Sequence, residues 1–205
     1  MILEHGGARP RIDPSARVAP NATLCGEVIV GANTSIGFGA VVTAESGPVV
    51  VGRDTVVMEN AVLRGVKKHP LEIGDHALIG PHAMLAGCRV GDGCFVATGA
   101  SVFNGAVLEP ASQVRINGVV HINTRLRTGD IVPIGWVAVG DPATILAPGR
   151  HDDIWAIQKD LDFLGTVFGI DAEARGERSF LDLMPKLMSR YACALGRHGD
   201  DEVVG

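Results

Sequence analysis

The sequence has few aromatic residues, no run of positive charge and no long apolar segment. Aromatic residues make up only 4% of the 205 positions, and 18 lysines and arginines are outnumbered by 23 aspartates and glutamates. Because a nucleic-acid surface needs clustered basic side chains, we expect no nucleic-acid binding. The longest nearly unbroken apolar stretch, residues 131–140, is about half the length that spans a bilayer and contains Pro133. We therefore predict no membrane span.

Secretion signals and cysteine motifs are also missing. Residues 1–7 contain no basic start followed by an apolar block, which is the pattern of a secretory signal. Cys25, Cys88, Cys94 and Cys193 are scattered without a C-x-x-C pair. Such spacing is more typical of small buried residues in a reducing compartment than of disulfides or zinc clips. We expect a cytoplasmic protein.

Glycine, in contrast, is abundant, with 27 residues, and aliphatic residues recur at every sixth position. The period is clearest over residues 24–41 and 73–84, and it continues through aliphatic starts at Val96, Val102, Leu108, Val114 and Val120. A helix would show a period near 3.6 and an amphipathic strand a period of 2. A six-residue period is typical of a parallel β-helix, an all-β solenoid in which each unit forms a short strand and a corner. About fifteen such units predict about five coils.

The period also indicates the domain organisation. We predict a β-helix domain over residues 8–148, a C-terminal helical segment over 149–196 and a flexible tail over 197–205. Apolar residues at 3-4-3 spacing between Ile154 and Leu164 indicate one helix, and a second apolar pattern runs from Leu183 to Tyr191. These apolar faces are expected to cover the prism or a neighbouring subunit.

Two insertions interrupt the period. The step from Val42 to Val51 is nine residues and the step from Leu63 to Ile73 is ten, where six is expected. Residues 43–50 and 64–72 are therefore predicted to form loops. The two insertions lie one full coil apart, so both loops are expected at the same corner of the prism. Continuing the count stacks Leu85 above Leu63 and places Ala86 beside Arg64.

Several segments carry a family resemblance. They are Val41-Val-Thr-Ala-Glu45, Ala61-Val-Leu-Arg-Gly65, Ile79-Gly-Pro-His-Ala-Met-Leu-Ala-Gly-Cys88, the stretch 98–107, and Val137-Ala-Val-Gly-Asp-Pro-Ala143. Together they resemble the γ-class carbonic anhydrase-like family over roughly residues 8 to 150. The resemblance implies a left-handed parallel β-helix, with C-terminal α-helices in this chain, a homotrimer, and active sites between subunits.

The resemblance also implies zinc or iron held by three histidines, and here the chain departs from the family. Arg64, Pro81 and Ala86 occupy the three ligand positions. None of these side chains offers the lone pair that a transition metal needs. Without a metal-bound water of lowered pKa, carbon dioxide hydration loses its nucleophile. We therefore expect no metal at the usual positions and no carbonic anhydrase activity there.

Histidines near the same corner leave a displaced metal site open. His69 lies on the second loop, His82 follows a lost ligand position, and His121 ends a later repeat. Together these three residues are the candidates for zinc or iron bound in a shifted position. The coil count separates His121 from Arg64 by three layers, about 14 Å, which disfavours a single cluster.

A second interpretation is an anion site. Arg64, together with Lys67 or Lys68, would bind a carboxylate or phosphate. Glu59 and Glu45 lie near the same edge, and His82 or His69 would serve as a general base. In the third interpretation the two histidines form only intersubunit hydrogen bonds, and Arg64 pairs with one of the two glutamates.

The same repeat also occurs in a different functional class. Hexapeptide acyltransferases resemble this chain in architecture and use one interface histidine as a base, with acyl-CoA lying between the prisms. Because a fold does not specify a function, three alternatives remain at this point. They are a small-anion-binding trimer, an acyl-CoA-dependent transferase and a non-catalytic structural trimer.

Overall fold

Short parallel strands follow the six-residue period along most of the chain. A computed structural model describes residues 1–66, 68–170 and 180–204. The strands form the three faces of a left-handed parallel β-helix, which confirms the predicted fold class. We call these faces A, B and C in the order in which the chain visits them.

Face A holds eight parallel strands with one antiparallel strand at each end. The parallel strands are Ile2–Glu4 (β1), Thr23–Cys25 (β4), Val41–Thr43 (β7), Val62–Arg64 (β10), Met84–Ala86 (β13), Ser101–Val102 (β16), Val119–Val120 (β19) and Val137–Val139 (β22), and the end strands are Thr144–Leu146 (β23) and Glu202–Val203 (β24).

Faces B and C hold seven parallel strands each. Face B consists of Arg11–Ile12 (β2), Val28–Val30 (β5), Val49–Val51 (β8), Leu71–Ile73 (β11), Arg89–Val90 (β14), Val107–Leu108 (β17) and Arg125–Leu126 (β20). Face C consists of Arg17–Val18 (β3), Ser35–Ile36 (β6), Val56–Val57 (β9), Leu78–Ile79 (β12), Phe95–Val96 (β15), Gln113–Val114 (β18) and Ile131–Val132 (β21).

The β-helix is longer than the sequence period indicated. Eight parallel strands on face A correspond to about eight coils, where about five were predicted. Strand β1 adds a coil before residue 8, and β20 to β22 continue the winding beyond Val120. Leu126, Val132 and Ala138 keep the inward positions of these last coils fully buried, so the core continues where the six-residue pattern is hard to read.

The strand register places the site residues as the count predicted. Leu63 pairs with Leu85 and Arg64 with Ala86, while Thr43 lies on the other side of Arg64. The two loops, residues 44–48 and 65–70, both join face A to face B, which confirms that they share one corner. We call this corner, with its two stacked loops, the loop corner.

The C-terminal segment differs from the sequence prediction in its details. Its described residues form three α-helices, His151–Gln158 (α1), Phe163–Phe168 (α2) and Phe180–Arg197 (α3). The apolar pattern from Ile154 to Leu164 does not form one helix, because Asp162 takes a left-handed conformation (φ 46°) and its carboxylate caps α2 by accepting from Gly165 N–H. No helix among the described residues is long and apolar enough to cross a membrane.

Residues 197–205, predicted to be a flexible tail, carry regular structure up to residue 203. His198–Asp200 form a 3₁₀ turn, and β24 pairs antiparallel with β1, so that Leu3 faces Val203 and Glu4 faces Glu202. The first coil leaves the edge of β1 unpaired, and a returning strand supplies the missing backbone partners. The two ends of the chain therefore meet at the same end of the prism.

The two loops at the loop corner are stacked without a gap. A Cβ atom added to Gly65 would lie 2.2 Å from the Gly47 carbonyl oxygen and 2.5 Å from that of Pro48. We expect Gly65→Ala to lower the free energy of unfolding by about 1–3 kcal/mol, because the backbone of one loop must move away from the other. Thermal unfolding measures this change. Gly149→Ala is the control, since nothing lies within 4 Å of its added Cβ, and an equal loss in both variants would contradict the stacking argument.

His121 follows β19, on the same face as Arg64. Its ring lies 6.4 Å from that of Phe103, and its buried Nδ1 has no hydrogen-bond partner among the described residues. Burial lowers the pKa of His121 below its ordinary value of 6.5. The unfolded chain therefore binds a proton there more readily than the folded chain, so protonation favours unfolding as pH falls below about 6.5.

We expect His121→Phe to reduce the loss of stability between pH 7 and pH 5, because the variant removes one group that is protonated only on unfolding. Chemical denaturation at several pH values measures this slope. His76→Asn is the control, because His76 is an exposed turn residue. An unchanged slope in His121→Phe would show that the ring takes up its proton equally well in the folded state.

Candidate functional site

A cavity of about 430 Å³ lies between the loop corner and the C-terminal helices. The loop corner contributes Glu45, Ser46, Arg64, Val66, Lys68 and His69, and the α2–α3 region contributes Thr166, Val167, Phe168, Gly169, Leu187, Arg190, Tyr191, Cys193, Ala194 and Arg197. Both insertions in the repeat thus form one wall of this cavity. The volume is in the range of small-molecule sites, which run from about 300 to 1,000 Å³.

Arg64 and Glu45 form an ion pair on the β-helix wall of the cavity. Arg64 ends β10, Glu45 lies in the loop of the coil below, and their side chains meet through Nη2 and Oε2. Partial burial acts to lower the pKa of Arg64, but the Glu45 carboxylate and the Tyr191 hydroxyl outweigh it, and the pKa is raised above its ordinary value. The guanidinium is therefore fixed in charge and held in place from two sides.

The opposite wall comes from one face of α3. Leu187, Arg190, Tyr191, Ala194 and Arg197 recur at helical spacing and all line the cavity. Arg190 is oriented by a 2.5 Å hydrogen bond from its Nη1 to the Phe168 carbonyl oxygen. Among the described lining residues, Arg64, Lys68, Arg190 and Arg197 are cationic and Glu45 is acidic, so the cavity carries an excess of positive charge.

His69 lies on the second loop and also lines the cavity. A two-way backbone pairing with Val66 holds the loop, with N–O distances of 3.0 and 2.9 Å. Gly87 makes room for the residue, since an added Cβ there would lie 2.7 Å from His69 Cβ. Burial, followed by the charge of Lys68, lowers the pKa of His69. The imidazole is consequently neutral near pH 7 and has a nitrogen free to accept a proton.

His82 and Glu59 lie at a different corner from the rest of the predicted site. His82 has φ 56°, the left-handed conformation that this turn requires and that histidine tolerates better than most residues. Both residues are exposed, and the His82 N–H donates to the Glu59 carbonyl oxygen at 3.0 Å. A face A strand separates this corner from the loop corner, a distance of about 10 Å. One chain therefore brings together Arg64, Glu45 and His69 but not His82 and Glu59.

The residues at the usual metal positions do not fit a metal ion. Arg64 presents only N–H donors and is already paired with Glu45, and Pro81 and Ala86 have no donor atoms. The displaced candidates do not converge within one chain either, because His82 lies at another corner and His121 is three coils above Arg64, as the strand order β10, β13, β16 and β19 places it.

The sequence does not identify three of the polar groups in the cavity as site residues. In the sequence they belong only to a predicted amphipathic helix or to the predicted tail; they are Arg190, Tyr191 and Arg197. Their spacing along α3 marks them as one helix face, but nothing in the repeat indicates that this face borders the same cavity as the loop corner. The relevant signal in the sequence is the mixture of arginine with apolar residues along one face of the helix.

Comparisons with known proteins agree with the β-helix fold. The family profile described as "hexapeptide repeat of succinyl-transferase" matches residues 70–104. A carbonic anhydrase of Geobacillus kaustophilus is 35% identical over 37% of this chain and 41% of its own length. The mitochondrial gamma carbonic anhydrase 1 of Arabidopsis thaliana is 35% identical over 71% of this chain and 53% of its own length. The chain thus spans about half, or less, of the length of these curated relatives.

Among solved structures, a hexapeptide transferase family protein from Anaplasma phagocytophilum is 30% identical to this chain, with a TM-score of 0.53. The match covers 78% of this chain and 90% of that one. An acyltransferase for UDP-N-acetylglucosamine from Francisella novicida has the same TM-score at 13% identity and shows the fold alone. From the β-helix and the 30% identity to a protein of which it covers 90%, the chain belongs to the hexapeptide-repeat family of left-handed β-helix proteins, and it is similar to γ carbonic anhydrases over about half of their length or less.

Proposed function

We propose that this protein is a cytoplasmic, trimeric relative of the γ-class carbonic anhydrases that binds a small anionic ligand beside Arg64 and does not hydrate carbon dioxide. The observation that carries the proposal is the charge of the cavity. Four cationic side chains and one carboxylate line it among the described residues. An anion of small size is the ligand that this arrangement favours most.

Arg64 is the proposed anchor of the anion. A guanidinium has five N–H donors in a planar fork, so its bond to Glu45 leaves other donors for a carboxylate or phosphate. Arg190 and Arg197 face Arg64 from α3 and add positive charge across the cavity. Partial burial strengthens these interactions, since screening by water is reduced there.

His69 is the proposed general base at this site. Its lowered pKa keeps the ring neutral near pH 7, which is the form that accepts a proton. It borders the same cavity as Arg64, so an anion held by arginine would lie close to the imidazole. Neither the anchoring nor the proton transfer requires a metal ion.

The homotrimer is supported by an exposed apolar column on face C. Val56, Leu78 and Phe95 are neighbours in the strand register, and Val56 and Leu78 are 39% and 37% exposed. A contiguous apolar surface of this kind usually marks a protein contact. His82 and Glu59 lie at the corner where face C passes into face A, so docking of this face would bring them to the subunit boundary.

Acyl-CoA-dependent transfer is the second candidate. It is favoured by the 30% identity to the Anaplasma phagocytophilum protein of the hexapeptide transferase family, matched over most of that chain's length. In that case His82 or His69 would deprotonate the acceptor, and the cationic side chains of the cavity would face the phosphates of the coenzyme. A structural trimer without catalysis is the third.

We expect Arg64→Ala to weaken the binding of inorganic phosphate or acetate by about 10-fold or more, the usual effect of losing a charged hydrogen bond. Isothermal titration of the untagged protein measures the affinity, and Arg53→Ala, an exposed arginine paired with Asp75, is the control. Equal affinities for both variants and the parent would refute the Arg64 site. Binding of acetyl-CoA but of neither small anion would favour the transferase.

We expect light scattering to give about three times the chain mass of 21.4 kDa. Leu78→Glu should dissociate the assembly, because a charge would be buried in the apolar column of face C. Leu78→Met keeps the side chain apolar and should remain trimeric. A monomer mass for the parent protein, or a trimer in Leu78→Glu, would contradict this interface.

A further inference from the structure

A second cluster of polar side chains lies where the two ends of the chain meet, away from the anion cavity. It consists of His5 after β1, Cys25 at the end of β4, His198 in the 3₁₀ turn and Asp201 before β24. Extending the antiparallel register of β1 and β24 by one residue pairs His5 with Asp201. The backbone of both chain ends therefore positions the cluster.

The four side chains converge on one small volume. His5 Nδ1 lies 2.6 Å from Asp201 Oδ1, and His198 Nδ1 lies 2.7 Å from Asp201 Oδ2. Cys25 Sγ is 3.4 Å from the same Oδ2, and the two imidazole rings stack at 4.1 Å. One potential ligand atom from each residue lies within 4.8 Å of all the others.

Burial makes this convergence more informative. The side chains of His5 and Asp201 are only 12% and 7% exposed, and Cys25 is buried. His198 is more exposed, at 30%. Exposed polar groups often gather on a surface without a common ligand, but a thiol, a carboxylate and an imidazole are rarely buried together. Proteins that bury such a set usually pair the groups with one another or place them around a metal ion.

The donor set matches zinc. One sulfur, two nitrogens and one carboxylate oxygen make four ligands of the types that zinc prefers, and four is the coordination number of its structural sites. Bond lengths of about 2.0–2.3 Å place tetrahedral ligand atoms about 3.3–3.8 Å apart. The separations in the cluster bracket this range, and an ion would replace the two short histidine–aspartate hydrogen bonds.

We propose that His5, Cys25, His198 and Asp201 form a structural zinc site that fastens the C-terminal segment to the first coils of the β-helix. The site differs from the one that the family resemblance implies, since it shares no position with Arg64, Pro81 or Ala86. None of its four residues lines the anion cavity. With all four positions filled by protein, no site is open for substrate, so the ion is structural and not catalytic.

The position of the cluster gives the ion a specific effect on the cavity. His198 follows Arg197 directly, and Arg197 lines the cavity at the end of α3. An ion bound to His198 and Asp201 would fix that end of the helix relative to β4. The zinc site therefore fixes the position of the α3 wall of the cavity, with Arg190 and Arg197, relative to the loop corner. We call this effect the clamping role of the ion.

The test is metal analysis of the full chain purified without a His-tag, by elemental mass spectrometry, followed by zinc titration after chelation. We expect one zinc per chain, and Cys25→Ser should weaken zinc binding by about 100-fold or more, beyond the 10–100-fold typical of outer-shell partners. Cobalt(II) in the parent protein should show a thiolate charge-transfer band that Cys25→Ser lacks. Cys193→Ser is the matched control, because Cys193 is an exposed thiol outside the cluster.

A second ligand variant keeps the test decisive if the first variant misfolds. If Cys25→Ser does not fold, His198→Asn replaces a more exposed ligand and should lose zinc equally. Absence of stoichiometric zinc binding in the parent, or its persistence in both ligand variants, would overturn the proposal. Loss of zinc in His69→Ala or His82→Ala, with retention in Cys25→Ser, would assign the metal to the displaced histidines instead.

Hydrogen exchange distinguishes an ion that holds the C-terminal segment in place from an ion that binds without this effect. Removal of zinc should accelerate exchange of the backbone amides of residues 180–204 and leave those of the middle coils unchanged. Equal exchange with and without zinc would refute the clamping role, even if an ion is bound. Phosphate titration of the zinc-loaded parent protein then tests the anion site separately, because failure to bind phosphate with zinc in place would count against the anion site and not against the zinc site.

Discussion

Each coil of this β-helix is held by backbone hydrogen bonds to the coil above and the coil below. The Val41 N–H donates to Ala61 and the Val62 N–H donates to Ala83, both at 2.9 Å. A parallel ladder of this kind allows no slip, because a shift of one residue would turn every aliphatic side chain out of the core. Leu63 and Leu85 therefore stack inside the prism, and each outward position is fixed with them.

The strict register explains why the functional features collect at one corner. Extra residues cannot be accommodated within a strand without breaking the ladder, so both insertions leave the prism where face A turns into face B. Stacked one coil apart, the two loops support each other through the close approach of Gly65 to Gly47 and Pro48. The cavity wall formed by Glu45, Arg64 and His69 is a consequence of that stacking.

Arginine at position 64 changes what this corner is able to bind. In the family that the chain resembles, an imidazole at the corresponding position is a metal ligand, whereas the guanidinium of Arg64 has no lone pair to offer. A partly buried cation needs an anionic partner, and Glu45 on the neighbouring coil supplies one. Arg64 thereby presents positive charge to the cavity from the β-helix, and α3 adds two further arginines.

The sequence alone was sufficient for the fold and for the shared corner of the loops, because both follow from the period of six and from its two interruptions. The assignment of Arg64, Pro81 and Ala86 to the usual ligand positions depends on the family resemblance. The sequence was not sufficient for the position of α3 across the cavity from the loop corner, or for the meeting of His5 with Asp201, which are 196 residues apart. Contacts between residues so far apart in sequence follow no period. They form only when the C-terminal segment meets the first coil of the completed prism.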